Sequence, residues 1–381
     1  MIYSTLSSIK LKVDLRPKVD SFVFLLHYRY TNLIFMVSAL LSTLYDAVGK
    51  KIDCMATGVS TDVVNEYCFI MGTFTVDRLH GLEVGVDVPH PGVGPLVRAG
   101  GVEEEITVHS YYQWVPFVLF LQGLFFYFPH WIWKRLEGGF FREVIQDISV
   151  KDYLGANLKI YFNREERFKA LVQYITNHMD RHTSWAGKFF FCELLNLAVV
   201  VSMLFFTDAF LGGEFLTYGS SIIEIASLDP ENRTDPMSLV FPKMAKCTFK
   251  SFGASGTIQI KDVMCLIATN IINEKIYLFL WVWLVLLTAI TAIWSVYRVL
   301  TIMLPFLRTF ILRMYVKEGF ASHVSEIMHH ASLSDWYLLV SLGRNMEESV
   351  FSEFVAQIAA EYRKSTDTIA MDELEKKPLN M

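Results

Sequence analysis

Four stretches of the chain break its mixture of polar and apolar positions. They run over residues 28–48, 112–133, 189–211 and 276–299. Each holds roughly 20 mostly apolar residues, the length of a helix that crosses a ~30 Å hydrocarbon layer. The second begins at Tyr111 and Tyr112 and closes on Trp131, Trp133, Lys134 and Arg135. Rings of this kind sit in the headgroup belt, and the basic side chains reach outward from it. Pro116 lies in the first turn or two, where a missing N–H removes little hydrogen bonding. Gln113 stands near the interface, where water can satisfy it. The pattern predicts an all-α membrane protein with four transmembrane helices. The first run is read as an uncleaved span, because it exceeds the ~7–15 apolar residues of a signal peptide and no small-x-small cleavage site follows it.

Composition agrees. The chain is 53% hydrophobic and 19% charged, against about 25% charged in soluble domains. The net charge of −5 is mild. No basic block tracks phosphates, so nucleic-acid binding is excluded.

Charge also sets the sidedness. Lys10, Lys12, Arg16 and Lys18 precede the first span, and the connector after the second carries Lys134, Arg135, Arg142, Lys151 and others. The connector from Lys50 to Ser110 is acidic, with Glu103, Glu104 and Glu105. The positive-inside rule places both termini and the middle connector in the cytoplasm. The expected order is a cytoplasmic N-terminal segment (1–27), a first span (28–48) and a first extracellular loop (49–111). A second span (112–133), a helical cytoplasmic loop (134–188) and a third span (189–211) follow. A second extracellular loop (212–275), a fourth span (276–299), a helical cytoplasmic region (300–364) and a disordered tail (365–381) complete the chain.

The cysteines fit this order. Cys54 and Cys68 fall in the first outer loop, Cys247 and Cys265 in the second, and Cys192 in the third span. Disulfides persist on the oxidising side, and four cysteines allow three pairings, all of them open at this point. Asn232-Arg233-Thr234 is a glycosylation sequon on the same side, with Asn232 as its acceptor.

Few residues suggest chemistry. Glu193 is an intramembrane acid, and with Asn196 it forms an i,i+3 pair on one helical face. Asn163 and Glu166 have capping-box spacing before an apolar stripe that includes Phe168, Leu171, Val172, Ile175 and Met179. Val350, Phe351, Phe354, Val355, Ile358 and Tyr362 form a second stripe. Each stripe needs a partner, and a helical dome built from both supplies one. His178 and His182 have metal-compatible spacing, but no glutamate lies between them. No CxxC pair or nucleophile elbow occurs. The reading assigns no metal, no cofactor and no catalytic residue.

One string is more specific. "YYQWV" at Tyr111, Tyr112, Gln113, Trp114 and Val115 resembles the signature of the innexin family of invertebrate gap-junction proteins. "HPGVG" at His90–Gly94, "FCELLN" at Phe191–Asn196 and "GEFLTYG" at Gly213–Gly219 are also innexin-like. So are "DPM" at Asp235–Met237, "FPKMAKCTF" at Phe241–Phe249, "NEKIYLFLWVW" at Asn273–Trp283 and "LGRN" at Leu342–Asn345. The resemblance covers the chain to about Phe354. It departs at Gly253-Ala254-Ser255-Gly256, where innexins commonly read Gly-Pro-Ser-Gly, and at Ile260-Lys261-Asp262, where they often read Lys-His-Asp. Both departures lie in the second outer loop.

The resemblance implies a multi-pass plasma-membrane subunit of a gap junction. It implies Cys54–Cys265 and Cys68–Cys247 disulfides, and a homo- or hetero-oligomeric ring with other innexins, of about eight subunits. Two such hemichannels dock across neighbouring cells and pass ions and small metabolites. The N-terminal segment and the first span line the pore. An undocked hemichannel, or a non-conducting adhesion scaffold, are the alternatives.

Overall fold

The computed structural model describes residues 19–97, 104–145, 158–178, 183–226, 236–329 and 331–375. The part of the N-terminal segment before residue 19, Asn232, His182 and residues 376–381 lie outside the described residues. Among the described residues, four helices are long and apolar enough to cross a membrane: Phe22–Val48, Val115–Glu137, Ser184–Phe210 and Thr269–Met303. All four run beyond the apolar stretches at one or both ends. The last has 35 residues, about 52 Å at 1.5 Å per residue, well over the hydrocarbon thickness. Polar residues extend these helices because intrachain hydrogen bonding continues past the lipid.

Local chemistry explains the ends. The first helix stops at Gly49, and the third runs into Gly212 and Gly213, whose φ of 81° and 90° lie in the left-handed region. There the Gly213 N–H reaches Asp208 O at 2.8 Å and closes the last turn. The fourth ends before Pro305, which starts a new helix, Pro305–Arg313, at its first turn. The first helix contains a π-helical turn at Leu26–Thr31, and Pro129 sits inside the second.

The chain divides into two compact units. One comprises Leu25–Pro129 and Leu195–Ala292. It holds a buried cluster that includes Phe35, Leu119, Phe126, Val200, Leu280 and Leu284. Phe117, Phe205, Leu40 and other large apolar side chains face outward from the same helices, as lipid solvent allows.

The same unit contains a sheet that the pattern of polar and apolar positions does not predict. Its strands are β1 (Asp53–Met55), β2 (Thr73–Val76), β3 (Ile106–His109), β4 (Met244–Phe252) and β5 (Ile258–Leu266). Their order is β1-β5-β4-β2-β3, antiparallel throughout. The long β4–β5 hairpin of the second loop forms the centre, and the first loop supplies both edges. The fold is thus mostly helical, as expected, and carries a five-stranded sheet in addition. β1, β2 and β3, of three or four residues, are too short to show a period of two, and the nine-residue β4 and β5 do not alternate cleanly between buried and exposed positions.

The second unit comprises Met1–Phe24, His130–Leu194 and Ile293–Met381. Its centre is aromatic: Phe24, Trp133, Phe141, Trp185, Phe189 and Tyr337 are buried. Phe189 stacks on Tyr337 at 5.2 Å and meets Trp133 edge-on at 4.9 Å. Helix Leu333–Gly343 is buried along its length and opens with a capping box between Ser332 and Asp335. The two apolar stripes meet where Phe168, on helix Leu158–Asn177, packs edge-on against Phe354 at 5.5 Å. Because that helix begins at Leu158, Asn163 lies inside it and does not cap it. Helix Glu348–Glu375 continues past Lys364, so the expected disordered tail is helical to Glu375.

Candidate functional site

The sheet of the first unit is organised around four cysteines. Cys54 stands opposite Cys265 in the β1–β5 register, with Cα atoms 3.9 Å apart and a disulfide between them. Cys68, on helix Thr61–Met71, is bridged to Cys247 on β4, with Cα atoms 5.9 Å apart. Each bridge therefore joins the first loop to the second. All four sulfurs belong to buried residues, packed with Ile52, Val64, Tyr112 and Ile267. The sulfurs of Cys54, Cys68 and Cys265 lie within 4.8 Å of one another. They are held in disulfides and offer no thiolate to a metal. Cys192 is a free, buried thiol.

The YYQWV string sits directly beneath this core, in the turn that leads into the second span. Tyr111 donates to Val240 O at 2.9 Å, and Tyr112 to Cys68 O at 3.4 Å. The Gln113 amide donates to Phe69 O at 2.7 Å and Ile70 O at 3.1 Å. Water is therefore not what satisfies Gln113. Those carbonyls end helix Thr61–Met71 and lack intrahelical donors, so a side-chain amide fills the gap. Val115 is fully buried, and Trp114 is 61% exposed. Three polar side chains thus tie one span to both outer loops, Val115 packs the core, and the indole faces outward.

The GEFLTYG stretch has an equally local reason. A Cβ on Gly219 would lie 2.1 Å from the Trp281 ring. The helix Phe215–Ala226 can approach the fourth span only without a side chain there. Trp281 Nε1 in turn donates to Leu216 O at 3.2 Å.

Polar side chains also join the spans. His27 Nε2 and Thr291 Oγ1 are 2.8 Å apart. Trp283 donates to Thr31 at 2.9 Å, Ser42 to Asn273 at 3.3 Å, and Gln122 to Thr207 at 2.7 Å. Single polar residues in apolar runs signal such contacts, but not their partners.

In the other unit, Glu193 meets Arg298. Arg298 Nε lies 2.7 Å from Glu193 Oε2 and Nη2 lies 2.9 Å from Oε1. Trp294 Nε1 donates to Oε1 at 3.0 Å. The guanidinium stacks over Phe190 at 4.7 Å and Tyr337 at 5.3 Å. Asn196, one turn along the helix from Glu193, is buried at 3% exposure. The acid's partners come from the fourth span rather than from Asn196. His178 Nδ1 lies 2.9 Å from Tyr174 O within its own helix.

The β4–β5 hairpin projects apolar side chains. Phe252 is 79% exposed, Ile258 66% and Ile260 68%. They flank the Gly253–Gly256 turn, where Gly256 adopts φ of 78°.

The family comparison covers most of the chain. The innexin family model matches residues 20–362. Innexin inx2 of Schistocerca americana is 39% identical over 342 residues, 90% of this chain and 92% of its own length. Innexin inx2 of Drosophila melanogaster is 38% identical over 366 residues, 94% of this chain and 96% of its own. Innexin shaking-B of the same fly is 38% identical over 343 residues, 90% of each chain. With its four spans and bridged loops, the chain belongs to the innexin family and is a gap-junction channel subunit of the plasma membrane.

Proposed function

We propose that this subunit forms a homo- or hetero-oligomeric ring with other innexins, of about eight members, with both termini cytoplasmic. Two rings dock through the disulfide-bridged sheet, and ions and small metabolites pass without any bond-making step. The N-terminal segment and the first span line the path. The carrying observation is the crossed pair of disulfides, which joins the two loops of one subunit into one body. A pre-ordered face loses less conformational entropy on docking than two free loops would. The exposed Phe252, Ile258 and Ile260 of the β4–β5 hairpin supply apolar contact for that face.

Junctional conductance between paired cells, each expressing only this protein, tests the reading, with membrane current in single cells recorded alongside. Junctional current supports homotypic docking. Current in single cells alone assigns a hemichannel or a different partner across the gap. Absence of both at confirmed surface expression rejects homomeric conduction.

A further inference from the structure

The fourth span leads straight into a second, shorter helix. At Leu304 the backbone turns extended, with φ of −110° and ψ of 99°, and Pro305 opens the helix Pro305–Arg313. That helix is fixed in place. Ile311 and Leu312 are buried on one side of it, and Trp336 Nε1 donates to Arg308 O at 2.9 Å. Arg308 Nε donates to Thr301 O at 3.0 Å and Nη2 to Ile302 O at 2.8 Å. These are among the last carbonyls of the span's helix, which lack intrahelical donors.

A helix docked on one side normally turns polar residues to the other. This one turns rings. Phe306, Phe310 and Met314 follow at intervals of four, so they share the face opposite Ile311 and Leu312. They are 70%, 57% and 66% exposed. The helix carries two arginines and no acid. Arg313, three residues after Phe310, is exposed beside the apolar stripe, and exposed Lys317 follows it.

The end of the span identifies what covers this face. Ile293, Val296, Leu300 and Met303 recur there at intervals of three and four, and all are exposed. Apolar side chains turned outward from a span meet hydrocarbon. Leu304 is exposed as well, so the apolar series runs unbroken from the span into the helix. A soluble partner that gripped the helix in a groove would also need Ile311 and Leu312, which are already buried.

We propose that Pro305–Arg313 lies in the headgroup boundary of the cytoplasmic leaflet, with Phe306, Phe310 and Met314 among the acyl chains and Arg313 and Lys317 on anionic phospholipid headgroups. The choice of leaflet rests on the topology proposed above. Through Arg308, the contact holds the end of the fourth span to the membrane surface.

The test uses full-length protein in lipid nanodiscs, in a Cys192→Ala background. Phe306→Cys, Phe310→Cys and Met314→Cys, all at exposed positions, are each labelled with bimane. Phospholipids brominated on the acyl chain quench a bimane in hydrocarbon, and iodide quenches one in water. Brominated lipid is expected to quench all three labels, and iodide only a label carried by Glu318→Cys. Brominated phosphatidylserine is expected to be preferred to brominated phosphatidylcholine, by about fivefold for each of Arg313 and Lys317. Arg313→Gln/Lys317→Gln should remove that preference. Iodide quenching at the three positions without lipid quenching overturns the inference and leaves the face to water or a soluble partner. Quenching by neither also overturns it and assigns the face to a neighbouring subunit. Equal quenching by both lipids, unchanged in the double variant, overturns the anionic assignment. Quenching needs no conducting channel, so silence in paired cells leaves these results intact. A membrane-impermeant maleimide that labels Glu318→Cys from outside intact cells overturns the cytoplasmic placement and leaves the lipid contact standing.

Discussion

Arg298 and Glu193 form a bidentate ion pair, with guanidinium nitrogens 2.7 and 2.9 Å from the two carboxylate oxygens. Both residues are buried, at 7% and 8% exposure. The pair links the fourth span to the third, and Tyr337 lies over the guanidinium.

Breaking one side of such a pair leaves an uncompensated buried charge. Glu193→Ala is expected to destabilise the subunit by about 3–5 kcal/mol. Thermal melting of the detergent-solubilised protein reads this as a large drop in Tm. Glu193→Gln keeps the Trp294 contact and should lose less. Adding Arg298→Met to Glu193→Ala should recover much of the loss; a double variant no better than the single one rejects the charge explanation.

The two disulfides each close a loop between distant parts of the chain. Cys54→Ser/Cys265→Ser and Cys68→Ser/Cys247→Ser are each expected to cost about 2–5 kcal/mol. Either pair should abolish junctional current. Normal coupling at wild-type surface levels would show that the bridges are dispensable for docking.

Gln113 answers two carbonyls at the end of a short helix. Gln113→Leu leaves them without that donor, an expected loss of about 1–3 kcal/mol. Hydrogen exchange should rise selectively in helix Thr61–Met71. Uniform exchange across the unit that holds the sheet would assign Gln113 a global packing role instead.

His109 gives the outer sheet a pH dependence. It is packed beside His80 and Asp77 and bonded to Thr75 at 2.8 Å. Its pKa falls from 6.5 to about 4, chiefly through burial. Between these values the unfolded chain binds more protons, so stability rises with pH. The contribution is full above pH 6.5 and is lost as pH falls towards 4, roughly 3 kcal/mol in all. His109→Gln should flatten the dependence of Tm on pH in this window. An unchanged slope would place the titration elsewhere.

Gly219 is set by a neighbour. Gly219→Ala places a methyl group in the Trp281 ring and should cost about 1–3 kcal/mol, read by melting. Adding Trp281→Leu should relieve it.

The four spans, their order and the family were legible in the sequence, because lipid imposes a length and a polarity on any helix that crosses it. The cysteines, two in each of two connectors, announced stapled loops, and each bridge joins one connector to the other. Glu193 read as an intramembrane acid sharing a helical face with Asn196, whereas its partner Arg298 lies 105 residues away, a separation that no local period encodes. Gln113 read as an interfacial residue because the carbonyls it meets belong to another loop. The sheet was invisible for the same reason. Its first-loop strands are short, and β1 and β2 each pair with a strand of the hairpin from the second loop, far along the chain. Length, polarity and cysteine placement are local properties, and the sequence by itself determined what rests on them. Strand order, ion pairing and the close approach of Gly219 to Trp281 arise only when distant segments meet, so only the tertiary structure decided them.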